Sequence, residues 1–143
     1  MKNKKRNGVA ATEFAIVMPL LFLVIAGTIE ICTGFFLKES LTVAAFEGAR
    51  VAVQRKSTLA SVENRIMAVL AERGVNTSGM TEPIFEVTPN PETAAITTPI
   101  EVTVRAPMTG NTIIPLRGLF TWLGDGTVSA DVTMIKEFVD VVN

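Results

Sequence analysis

At 143 residues the chain has room for one domain beside an N-terminal helix, and its 48% hydrophobic content exceeds what one soluble domain needs. Four of its 13 basic side chains (Lys2, Lys4, Lys5 and Arg6) fall in the first eight residues, so the net charge of −1 becomes −5 beyond them. That acidic remainder excludes a nucleic-acid binder, which sets basic side chains against phosphates. With no His and one Cys, the chain also lacks the ligand cluster of a zinc site.

Behind the basic leader (residues 1–8), residues 14–29 hold no charged side chain and are bracketed by Glu13 and Glu30. A bilayer's ~30 Å hydrocarbon core takes about 20 apolar residues, with ~17 the lower limit. Counting residues 9–12, a single transmembrane span is predicted over about residues 10–30. Its basic end lies in the cytoplasm and the rest of the chain outside. A carboxylate at membrane depth costs about 2.5–3.5 kcal/mol on insertion scales, and so marks function by default. The plainer alternative places Glu13 at headgroup level, where it merely ends the apolar run. Gly8 favours the functional reading. A cut after it gives Val9 a new α-amine, largely protonated near neutral pH. Four residues of helix rise ~6 Å, so that amine lies one turn from Glu13 of its own chain or of a docked neighbour.

Two other leader types compete. A secretory signal needs a small-x-small cleavage site, and Ala26-Gly27-Thr28 comes near one; against it, the apolar stretch resumes at Ile31 and runs through Phe35-Phe36-Leu37. A lipoprotein reading of Cys32 fails because Glu30 stands where small or apolar residues are required. Cys32 is then a small apolar filler in the helix, or a thiol that pairs between chains in an oxidising compartment.

One long helix is expected from Val9 to about Gln54, with a bend allowed at Pro19, which deletes a bond to the carbonyl of Ala15. Glu13 and Glu30 are 17 residues apart, ~26 Å along a helix, near opposite faces of a bilayer. Past Glu30 the apolar pattern is interrupted by Lys38, Glu39, Glu47 and Arg50, which signals emergence into water. Ala44, Gly48 and Ala52, with Ala45 and Ala49 beside them, form a small-residue ridge suited to close backbone approach. Gly48 costs ~1 kcal/mol relative to alanine inside a helix, so its presence argues for tight packing. Whether the chain's own sheet or another subunit meets the ridge stays open. Glu47 and Arg50, spaced i, i+3, can pair on the helix surface.

Residues 55–143 read as an α+β domain. Ser57 or Thr58 caps a second, short helix with Leu59, Val62, Ile66, Val69 and Leu70 along one face and Gly74 as its stop. Residues 76–81 are a loop. A first strand covers 84–88 before Pro89, a turn follows over 90–93, and Ile100, Val102 and Val104 alternate with Glu101, Thr103 and Arg105 in the clearest strand. These two strands are expected to pair antiparallel. Leu116, Leu119, Phe120 and Leu123 recur at helical spacing despite Pro115 and Gly118. Phe120 and Trp122 suit either the domain's core or a membrane or partner surface. Gly124-Asp125-Gly126 signals a turn. Val128, Ala130, Val132 and Met134 give a third strand, which residues 138–142 extend.

Gly8 followed by Glu13-Phe14 resembles the processing site of type IV-like prepilins. The continuation Glu-Phe-Ala-Ile-Val-Met-Pro-Leu-Leu (13–21), Glu30, and Ala-Ala-Phe-Glu-Gly-Ala-Arg (44–50) resembles the TadE-like family, minor pilins or pseudopilins of the tight-adherence (Tad/Flp) pilus system. The likeness is close over roughly the first 55 residues and looser at Ser-Ala-Asp-Val-Thr-Met (129–134). Phe14 stands where the major Flp pilins usually carry Tyr, which fits a minor component. The resemblance implies a pseudopilin-like α+β fold: a long N-terminal transmembrane helix continuing outside the membrane, a second short helix and a small antiparallel sheet of about three strands. It implies cleavage after Gly8 by a prepilin peptidase, with Gly8, Val9, Glu13 and Phe14 as the processing residues. Glu13, Glu30, Ala44, Gly48, Ala52, Glu47 and Arg50 become candidates for helix packing and assembly. The implied partners are other pilin subunits, the membrane-embedded pilus assembly machinery and the lipid bilayer, at the cytoplasmic (inner) membrane. Nothing in the residues suggests catalysis or a cofactor. No His base exists, no phosphate-binding glycine pattern follows a strand, and Asp125 and Asp131 suit turns and solvated strands. The competing class is a single-pass anchored extracytoplasmic binding domain with no role in pilus assembly.

Overall fold

The computed structural model describes residues 8–113 and 126–136. The basic leader side chains, the helical spacing from Leu116 to Leu123 with Trp122, the Gly124-Asp125 part of the turn and the extension over 138–142 lie outside the described residues.

Helix α1 runs unbroken through Pro19 from Val9–Ala52, ~66 Å at 1.5 Å per residue. No glycine ends it; the chain leaves at Val53, whose N–H still donates to the Ala49 carbonyl, and turns at Lys56 with φ 57°. Helix α2, Leu59–Glu72, starts at a capping box in which Thr58 and Ser61 each accept the other's backbone N–H. It stops at Gly74 in a Schellman arrangement: φ is +65°, the Val75 N–H reaches the Leu70 carbonyl, and the Gly74 N–H reaches Ala71. Val62, Ile66, Val69 and Leu70 are buried as the periodicity predicts, whereas Leu59, expected on the same face, is exposed. It is the first helical residue and lies at the open end of α2.

Strands β1 (Phe85–Thr88), β2 (Pro99–Pro107) and β3 (Thr127–Ile135) form an antiparallel sheet in the order β1-β2-β3. The expected turn before β2 is closed by the Thr93 and Ala94 N–H groups on the Asn90 carbonyl. Register places Val102 between Val87 and Val132, and Val104 between Phe85 and Ala130. One face of the sheet is therefore apolar and packs against both helices. The other carries Glu86, Glu101, Thr103, Arg105 and Asp131, with Arg105 paired to Glu86 at 3.0 Å.

The core joins Leu37, Leu41, Ala44, Ala45, Ala49 and Ala52 of α1 to Val62, Ile66, Val69 and Leu70 of α2 and to Ile100, Val102, Val104, Ala106 and Ala130 of the sheet. At its centre lies Gly48. A Cβ there would fall 2.7 Å from Ile66 Cγ1, 2.8 Å from Ile66 Cδ1 and 3.4 Å from Val102 Cγ1. Glycine lets α1 approach α2 and β2 at once, which outweighs its helix penalty. Overpacking costs ~1–3 kcal/mol, set against ~1 kcal/mol gained in helix propensity. Gly48→Ala therefore lowers stability in chemical denaturation of the detergent-solubilised chain, by about 1 kcal/mol. Adding Ile66→Val, which removes Cδ1, recovers part of the loss.

Candidate functional site

At its N-terminus α1 is built for exposure rather than packing. Gly8 is the N-cap residue, at φ −91° and ψ −28°, with no side-chain cap. A Cβ at Gly8 would meet nothing within 4 Å, and its backbone conformation is open to any residue. The fold itself places no demand for glycine there. Thr12 donates through its hydroxyl to the Val9 carbonyl at 2.8 Å and through its amide to the Gly8 carbonyl at 3.2 Å, which closes the first turn. One turn on from Val9, Glu13 is exposed, and its carboxylate has no ion pair or hydrogen bond among the described residues. Phe14 beside it is 59% exposed. Exposure of large apolar side chains continues through Ile16, Leu20, Phe22 and Ile25. Length and composition suffice for this helix to cross a membrane.

Glu30 marks a change of surroundings. It lies on the helix face that includes Ala26, Gly34 and Leu37, where Ala26 and Leu37 are buried and a Cβ on Gly34 would rest 3.6 Å from Met108 Cε. Both Glu30 carboxylate oxygens are buried and have no hydrogen-bond partner among the described residues. A buried carboxylate without a partner opposes the packing around it.

Ala44, Gly48 and Ala52 all face the chain's own α2 and sheet. Glu47 stands at the edge of this contact, its side chain 21% exposed. The expected partner, Arg50, approaches only to 3.8 Å. A closer one is Arg65 of α2, whose Nε and Nη2 both donate to Glu47 Oε2, at 3.2 and 3.0 Å. Periodicity fixes which face a residue occupies but not which helix lies opposite, so Arg65, 18 positions away, was not legible. Lys38 was likewise read only as a sign of emergence into water; its Nζ donates to the Ser129 carbonyl of β3 and ties the helix to the sheet edge. Among the described residues no group of three or more His, Cys, Asp or Glu is placed to hold a metal ion.

An apolar N-terminal helix with one end free and the other under an α+β head defines a single-pass membrane-anchored protein. Residues 8–50 match the model of a family described as TadE-like protein, so the match begins at Gly8 and takes in all but the last two residues of α1. It ties this segment to Tad pilus systems. No curated protein and no solved structure matches the chain.

Because Arg65 makes the closer pair, Arg65→Ala lowers stability more than Arg50→Ala. The losses are about 0.5–1 kcal/mol and under ~0.5 kcal/mol for these partly exposed pairs, read from paired denaturation curves.

Proposed function

We propose that the protein is a minor pilin or pseudopilin that takes part in assembling a tight-adherence pilus. It inserts with residues 1–8 in the cytoplasm and is cut after Gly8 by a prepilin peptidase. Residues 9–54 then form the anchoring and packing helix, and residues 55–143 stand outside the cytoplasmic membrane as the head. The observation that carries this reading is the pairing of a glycine the fold does not need with an unpartnered carboxylate one turn beyond it. An enzyme that must fit the backbone between residues 8 and 9 into its own site explains that glycine. The α-amine released at Val9 supplies the cation that Glu13 lacks, in its own chain or in an adjacent subunit. The family match over residues 8–50 supports the same role. Ala44, Gly48 and Ala52 serve assembly indirectly, by fixing the head on its stalk. The chain acts as a substrate of the peptidase and as a structural subunit, with other pilins, the assembly machinery and the bilayer as partners.

Mass spectrometry of the protein from its native membrane is expected to find Val9 as the first residue. An intact Met1, or a start near Ile29, instead supports an anchored binding domain or a secreted one. Glu13→Ala is expected to leave cleavage largely intact while pili are lost, scored by electron microscopy. Normal piliation with that variant refutes the pairing.

A further inference from the structure

Four charged side chains interrupt α1 beyond Glu30, and the structure uses two of them within the chain. Lys38 is bound to the Ser129 carbonyl, and Glu47 to Arg65. The other two, Glu39 and Arg50, have side chains 68% and 67% exposed and reach only loose partners at 3.8 Å, Arg73 and Glu47. They lie on the side of α1 turned away from the Ala44–Gly48–Ala52 ridge, together with Phe35 and Phe46, which are 72% and 49% exposed. Phe46 lies 16 residues past Glu30, ~24 Å further along the helix. The headgroup layers add only ~5–8 Å to each side of the hydrocarbon core, so with the span over residues 10–30 lipid does not cover Phe46.

The two pairs share one spacing. Phe35 to Phe46 is 11 residues, and Glu39 to Arg50 is 11 residues. Eleven residues complete three helical turns to within ~20°, so each pair lies on one face. We propose that this face receives the same face of a second copy of the chain, parallel and displaced by 11 residues, ~16 Å along the axis. In that register Phe35 of the outer copy meets Phe46 of the inner one, and Glu39 of the outer copy meets Arg50 of the inner one. Each copy keeps an unused half of the face, so the contact is heterologous and repeats along an open assembly instead of closing as a dimer. The proposal rests on the pilus-assembly reading and adds to it a partner and a register.

The test uses full-length chains in native membranes, with Cys32→Ser removing the native thiol. Glu39→Cys and Arg50→Cys are placed in separately tagged, co-expressed copies, and disulfides are formed with a mild oxidant. The expected product is the mixed Glu39→Cys/Arg50→Cys dimer, in excess over either like-with-like dimer. In a piliated host, Glu39→Arg and Arg50→Glu are each expected to abolish pili and the double exchange to restore them. The two positions lie ~16 Å apart within one chain, so such rescue arises only between copies. An excess of like-with-like dimers, adducts with a different protein, or no adduct from chains that start at Val9 overturns the proposal. Chains that retain residues 1–8 overturn the underlying reading with it.

Discussion

The approach of three backbones at Gly48 is the constraint on which the rest of the structure depends. Ile66 of α2 and Val102 of β2 both press into the space a side chain would occupy there. Alanines one turn to either side, at Ala44 and Ala52, continue the seam and are fully buried. The alternating apolar face of β2 can lie flat against α1 only because that strip of helix is smooth. Burial of the head's few large residues, Leu41, Ile66, Leu70 and Ile100 among them, follows from this closeness. It supplies the apolar area that a head of this size needs.

That seam divides the labour along α1. Its distal half is amphipathic in function: one side is consumed by the head, and the edge is stapled by Glu47 to Arg65 and by Lys38 to β3. Its proximal half is apolar all round and largely uncovered, a surface suited to lipid or to other apolar helices and unsuited to water. Glu30 sits where the two regimes meet. Its covered, unpartnered oxygens are the one place where the chain accepts a polar group on the packed side of that boundary.

Much of this was legible in the sequence because the signals are local. Period-2 alternation placed the strands, Gly74 and Thr58 marked the limits of α2, and the charge-free run from Phe14 defined the anchor. Sequence also named Gly48 as a point of close packing, since a helix accepts an interior glycine only for a reason. What it did not give was the identity of the partner, because ridge and sheet, or Glu47 and Arg65, are joined only by the tertiary fold. Leu59 had the right phase and still lies exposed, since phase says nothing about where a helix runs out of neighbours. The processing residues were readable for the opposite cause: Gly8 and Glu13 fit nothing in the chain's own packing, and residues without a structural use stand out.

The absence of any break between anchor and head has a mechanical consequence. One continuous helix from Val9 to Ala52, clamped to the sheet at its far end, behaves as a shaft and not as a tether. Turning or lifting it at the membrane turns or lifts the head by the same angle and distance, with no joint to absorb the motion. A pull on the buried end therefore arrives at the far end as displacement.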